Sequence, residues 1–218
     1  MSPPAEADVY KKDFWRGEQP KFATPHYRLR KIARLVNRIV GDRAATMLDL
    51  GCGPGTLGLL LNPGICYYGL DLVVPEQARS LREADLTESA IQFDDLQFDV
   101  IVAQGVFEYL GGHQSEKFAE ISRILAPGGR FVVTYVNFDH RKPYMYPPYS
   151  NVQAHDAFRG ALQEHFVIER SFPTSYNWNG GQPNRKWLQA ANMRCNANVP
   201  VVGGRLAVEH IFVCAGRR

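Results

Sequence analysis

The chain has 218 residues, a formal net charge of +3, 45% apolar residues and 22% charged ones. That length and mix suit a soluble α/β unit with a sizeable buried core. They give no reason to expect nucleic acid or a membrane surface as partner, no apolar run is long enough to span a bilayer, and the 4 cysteines make no C-x-x-C pair that would mark zinc or a redox centre.

Residues 1–26 carry prolines at 3, 4, 20 and 25 and read as a mobile arm. Tyr10, Phe14 and Trp15 are bulky for pure disorder, and either pack against the domain or cover its site. No basic segment leads into an apolar one, so no secretory signal is expected, and the cysteines suit a reducing cytoplasm. His26 to Val40 has Leu29, Ile32, Ala33 and Val36 at helical spacing. Arg28, Arg30, Lys31, Arg34 and Arg38 take the remaining faces and read as solvated, and Gly41 ends the helix.

An apolar strand over 46–50 runs into Gly51-Cys52-Gly53-Pro54-Gly55, and a helix is expected from about Thr56. Glycines there allow positive φ and close approach of a ligand, and a helix start would aim free N–H groups at it. A second strand, Ile65 to Leu72, ends in Asp71. Pro75 to Leu81 suits a short helix, and Arg82 to Leu86 a short third strand with Asp85 at its end. Phe98 to Ala103 is apolar enough for a buried parallel strand. The loop Gln104 to Tyr109 leads to a helix over His113 to Leu125. Ala126-Pro127-Gly128-Gly129 is a turn before a fifth strand, Arg130 to Val136.

Asn137 to Asn151 is rich in Tyr and Pro and follows a strand's carboxyl end, so it should overhang the site. His155 to His165 reads as a helix and Val167 to Phe172 as a sixth strand. Pro173 to Gly204 is a long insert, and Arg205 to Ala215 a last strand. The expectation is a single domain over 1–218, with an N-terminal arm and helix over 1–45 and acceptor-side inserts over 137–155 and 173–204. Cys66 and Cys214 read as core thiols, and Cys52 as part of the ligand loop.

The glycine loop has two readings. A dinucleotide fold wants G-x-G-x-x-G, with pyrophosphate on the helix start. Here the third glycine position is Thr56, Pro54 removes a donor, and Asp49 would repel a pyrophosphate while suiting a cation. Asp71 could take the hydroxyls of any ribose or cap a helix. Asp85 could accept from an adenine amine or serve as a turn acid.

Asp49-Leu50-Gly51-Cys52-Gly53-Pro54-Gly55 resembles the first motif of the class I methyltransferases, which use S-adenosylmethionine. Tyr68 to Leu72, Ala84 to Leu86, Phe98 to Leu110 and Leu125 to Val133 resemble that family's later blocks, in order. The resemblance covers about Leu48 to Val136. It implies a Rossmann-like, doubly wound, seven-stranded mixed α/β sheet with the last strand antiparallel. It implies that Asp49, Gly51, Cys52 and Gly53 hold the methionine end of the cofactor, Asp71 with Leu72 the ribose, and Asp85 with Leu86 the adenine. Gln104 would line the cofactor beside the acceptor, and the N-terminal arm would act as a lid.

Methyl transfer to oxygen needs alignment, exclusion of water, and a base or a metal. His140 with Asp139 is the first candidate, as a base or as part of a divalent (Mg) site, against the plainer reading of a surface turn. Glu108 is a candidate too, or it binds the cofactor's amino group, or it caps a helix. Tyr146-Pro147-Pro148-Tyr149 is similar to a motif of nitrogen methyltransferases but follows the wrong strand, so that function is not carried over. Tyr144, Tyr146, Tyr149, Tyr176, Trp178 and Trp187, interleaved with Asn177, Asn179, Gln182, Asn184 and Arg185, suit a saccharide, or loop packing, or a homodimer contact. The expected activity is O-methylation of a small molecule or saccharide. The alternatives are N- or C-methylation of a natural product, or a non-catalytic subunit that binds the cofactor.

Overall fold

The computed structural model describes residues 12–76, 79–137, 153–176 and 207–217. β1 (Ala45–Leu50) and β4 (Phe98–Ala103) lie parallel at the centre of the sheet, with Leu48 opposite Ile101. Both faces of these strands are covered, which is why they read as near-continuous apolar runs. β2 (Ile65–Asp71) and β3 (Leu81–Glu83) extend the sheet on one side, and β5 (Leu125–Val136) on the other, all parallel. β7 (Ala207–Gly216) runs antiparallel between β5 and β6 (Phe166–Tyr176), giving the order β3-β2-β1-β4-β5-β7-β6. This is the mixed seven-stranded sheet with an antiparallel last strand that the sequence led us to expect. Chain order reverses between β1 and β4, so the connections diverge there and open a crevice at the strands' carboxyl ends.

Four helices complete the described fold: α1 (Lys12–Phe22), α2 (Tyr27–Val40), α3 (Gln114–Ile124) and α4 (His155–His165). Ile32, Val36 and Val40 of α2 pack on Met47, Val100, Val132 and Val213. Phe118 and Ile121 of α3 and Phe158 and Leu162 of α4 pack on Ile101, Phe131 and Phe212 across the sheet. The Phe158 ring stacks on Tyr135 with centroids 3.7 Å apart.

Several elements differ from expectation. Within the supposed mobile arm, residues 12–22 form a helix. No α-helix follows the glycine loop; a single 3-10 turn over Gly58–Leu60 does. Only seven residues separate Gly55 from Pro63, one of them is Gly58, and Pro63 disfavours helical backbone at Asn62. Asn62 is instead tied to α2, its N–H donating to Asn37 Oδ1 at 2.9 Å. In the segment 75–81, residues 76, 79 and 80 lie in turns and Leu81 opens β3, so its described residues are not helical. Ala126 to Gly129 belong to β5 but bulge out, between Leu125 opposite Phe98 and Arg130 opposite Val100. Lys31 is buried, not solvated: its Nζ donates to the carbonyls of Pro173 and Thr174 at 2.9 and 3.1 Å. Cys66 is exposed rather than a core thiol, whereas Cys214 is buried as expected. No described helix is long and apolar enough to cross a membrane.

Candidate active site

The crevice is a cavity of about 470 Å³. Asp49 ends β1 and reaches it buried, 4% exposed, with its Oδ2 accepting from the Tyr67 hydroxyl at 2.7 Å. Burial pushes its carboxyl up to about 7, against the Tyr67 hydrogen bond and with the help of nearby Asp71.

The glycine loop turns back onto β2. The N–H groups of Gly51 and Cys52 both donate to the Leu70 carbonyl, at 2.8 and 3.2 Å, and that of Gly55 to Cys52 at 3.0 Å. Gly53 donates to Asp71 Oδ2 at 2.7 Å. Every N–H from Gly51 to Gly55 is therefore engaged within the chain, and Pro54 has none. The loop offers no group of free donors to a pyrophosphate, so the dinucleotide reading fails on geometry. Gly51 is required twice over: its φ is +70°, and a Cβ there would lie 2.2 Å from Val106 Cγ2.

Asp71 ends β2. Burial raises its pKa, and the N–H groups of Gly53, Val73 and Leu72 oppose that. Asp85 follows β3, where its Oδ1 accepts from the backbone and hydroxyl of Thr87 at 2.9 and 2.6 Å. It is thus a turn acid in fact, and it also lines the cavity, as do Leu72 and Leu86. The loop after β4 supplies Gln104, whose Oε1 is buried without a partner among the described residues.

Beyond β5 the wall changes. Glu108 is 2% exposed, and neither of its carboxyl oxygens makes a well-formed hydrogen bond among the described residues. Burial pushes it up to about 8, with Glu209 adding to the rise and the N–H groups of Glu108 and Val136 and the Arg28 guanidinium opposing it. Glu209, on β7 opposite Val136, is buried, and both its oxygens lie 3.4 Å from Arg28 Nη1. His26 caps α2 by accepting from the Leu29 N–H at 3.4 Å, and burial first, then Arg28, lowers its ring to about 4.

α1 closes the mouth. Its Trp15 meets Tyr109 edge-on with centroids 5.4 Å apart, and Gln19 donates to the Val73 carbonyl at 2.9 Å. The Thr56 hydroxyl donates to the Phe22 carbonyl at 2.7 Å.

A family model described as a methyltransferase domain matches residues 25–196. The chain belongs to the class I S-adenosylmethionine-dependent methyltransferase family. Demethylmenaquinone methyltransferase of Thermus thermophilus is 30% identical over 118 residues, which cover 48% of this chain and 53% of that protein. Trans-aconitate 2-methyltransferase of an Azoarcus species is 35% identical over 111 residues, 47% of this chain and 43% of that protein. The match thus spans about half the length of these curated relatives. A TehB-like SAM-dependent methyltransferase from Corynebacterium glutamicum superposes with a TM-score of 0.60 at 18% identity, over 97% of this chain and 98% of that one. The [4+2]-cyclase SpnF does so with a TM-score of 0.60 at 19% identity, over 85% and 79% of the two chains. At those identities the likeness is one of fold alone.

In this chain, Asp49, Gly51, Cys52, Gly53, Asp71, Leu72, Asp85, Leu86, Gln104 and Glu108 all line one cavity. His140 and Asp139 lie outside the described residues, as do Tyr144 to Tyr149 and Asn177 to Arg185. Among the described residues no group of three or more His, Cys, Asp or Glu is arranged to hold a metal ion. Sequence reasoning missed Arg28, His26 and Glu209. A signal for Glu209 was present: it shares its strand face with Ile211 and Val213, where an acid breaks an apolar stripe.

Proposed function

We propose that the chain transfers the methyl group of S-adenosylmethionine to an oxygen or nitrogen of a small molecule seated beside Glu108. The observation that carries this is the gathering of the glycine loop, Asp71, Asp85 and Gln104 around one cavity whose loop has no donors left for a pyrophosphate. The donor set fits the cofactor. Each oxygen of Asp71 accepts one backbone N–H and keeps a lone pair for a ribose hydroxyl. Asp85 engages Thr87 through Oδ1, leaving Oδ2 for an adenine amine. Asp49, Gly51, Cys52 and Gly53 would hold the methionine end, and Leu72 and Leu86 the apolar faces of ribose and adenine. When bound, the cofactor supplies a methyl group on a positively charged sulfur. The chain aligns the acceptor and excludes water, α1 forming the cover.

Glu108 is our candidate to take the acceptor's proton, because a buried carboxyl poised near neutrality can exchange one. His140 with Asp139, a Mg ion beside them, a saccharide hydroxyl as acceptor and a homodimer contact through the aromatic insert belong to segments outside the described residues. They remain expectations to be tested. We also place the protein in a reducing cytoplasm, on the sequence reading of its cysteines.

The test follows labelled methyl from S-adenosylmethionine into fractionated extract, with and without EDTA. Label in small molecules supports the proposal, and loss with EDTA supports a metal. Stabilisation by NAD but not by S-adenosylhomocysteine would sink it.

A further inference from the structure

We infer that the acceptor carries a protonated amine, seated against Glu108 beside the Glu209–Arg28 pair; this rests on the methyl-transfer reading above. Five carboxyl side chains line the cavity, at Asp49, Asp71, Asp85, Glu108 and Glu209, and Arg28 is the one Lys or Arg among the described residues that does so. Four of the five already have a donor: Tyr67 for Asp49, Gly53 for Asp71, Thr87 for Asp85 and Arg28 for Glu209. Glu108 has near it only the backbone N–H groups of Glu108 and Val136, neither in a well-formed hydrogen bond, and no other donor among the described residues, although it is 2% exposed. A buried polar group without a partner is costly, so the deficit marks a place where a ligand completes the wall. Gln104, in the same loop, and Gln19 of α1 each add a further buried oxygen without a hydrogen bond among the described residues.

The missing piece must bring N–H or O–H donors and suit a negative surround. An ammonium brings three donors and a charge. A hydroxyl brings one donor and no charge. A carboxylate brings no donor and would sit beside Glu209, repelled by it. Arg28, the one group that could welcome an anion, is already held by Glu209. The rings of Trp15 and Tyr109 line the same cavity and favour a cation over their faces.

The same seat makes the amine reactive. In the free site Glu108 is held neutral below about pH 8. The ammonium displaces that proton to water as it binds, then passes one of its own to the freed Glu108 oxygen, so an N–H bond breaks and an O–H bond forms. Nitrogen keeps the electron pair and becomes a neutral nucleophile. Burial favours the neutral acid that results.

The experiment first measures S-adenosylhomocysteine binding by calorimetry, because its absence would remove the methyltransferase site itself. The loaded protein is then titrated with three matched probes: 2-phenylethylamine, 2-phenylethanol and phenylacetate. The amine should bind roughly tenfold tighter than the alcohol, as a charge-assisted hydrogen bond requires, and phenylacetate weakest. Glu108→Gln, checked for folding by circular dichroism, should remove most of that preference, and Glu209→Gln should reduce it. The inference is overturned if the alcohol or phenylacetate matches the amine, if the amine does not bind at millimolar concentration, or if Glu108→Gln keeps the preference. The comparison of probes on the unaltered protein decides the matter even if a variant fails to fold.

Discussion

The two ends of the cavity are built on opposite plans. At the glycine-loop end, where we propose the cofactor, the carboxyls of Asp49, Asp71 and Asp85 are all held by nearby chain: Tyr67, the glycine loop and Thr87. At the other end, where we propose the acceptor, Arg28, Glu108 and Glu209 come from three distant segments, and Glu108 makes no well-formed hydrogen bond among the described residues. A wall complete in itself presents a fixed mould to one ligand. A wall with an open bonding position is finished only by what it binds. The difference teaches where affinity for a constant cofactor and selectivity for an acceptor are each set.

The comparison can be broken most violently at Gly51. Gly51→Val forces a side chain into positive φ and into Val106. Backbone strain alone of about 1–2 kcal/mol, with the overlap added, should lower Tm by about 4–8 °C or more and abolish S-adenosylhomocysteine binding by calorimetry. Retained binding would mean that the loop is not the rigid half.

The acceptor half breaks differently. Arg28→Gln leaves Glu209 buried and unpaired, which should cost about 3 kcal/mol in urea unfolding. The double variant with Glu209→Gln should recover most of it. A double variant no better than the single would show that the pair is not what matters there.

Asp71→Ala removes the acceptor of the Gly53 N–H. Losing a hydrogen bond to a charged group is worth about 1.5–3 kcal/mol, so S-adenosylhomocysteine should bind about tenfold to a hundredfold more weakly, with selectivity among acceptor probes unchanged.

The pH dependence sharpens the contrast. Glu108 has its ordinary value near 4.5 when unfolded and about 8 when folded. The folded state therefore holds the extra proton between those values, and stability falls as pH rises from 4.5 to 8. Glu108→Gln should flatten that fall in urea midpoints, leaving the smaller decline from Asp49, which runs from 3.8 to about 7. His26 and His210, lowered from 6.5 to about 4, act in the other direction, and stability is lost as pH falls through that window. An unchanged slope in Glu108→Gln would contradict its neutral, buried state.

The smallest effect is expected at Glu83, which pairs with Lys12 of α1 at 2.8 Å on an exposed surface. Glu83→Gln should change cofactor affinity less than twofold, since solvent screens such a pair.

What was legible in the sequence follows the same divide. Asp49, Gly51, Cys52, Gly53 and Asp71 announce themselves because a strand end and a tight turn place them together along the chain. α4 was read over its observed limits, His155 to His165, because its apolar spacing and its packing agree. The supposed helix after Gly55 was misread because Asn62 prefers α2 to a helical turn of its own. Lys31 looked solvated because nothing in its own helix reveals the Pro173 and Thr174 carbonyls that receive it. Arg28 and Glu209 were invisible as a pair for the same reason: 181 residues separate them, and only the antiparallel insertion of β7 beside β5 brings them within reach.

α1 has eleven residues, none of them buried, yet it is pinned to the glycine loop, to the end of β2 and to the loop after β4. A helix so short is marginal by itself. It is therefore the least costly piece of the cavity to release, and on our reading of α1 as a cover the time a ligand stays inside would follow how often eleven residues let go. Turnover in such a molecule would keep the clock of a fraying helix rather than that of the bond being made.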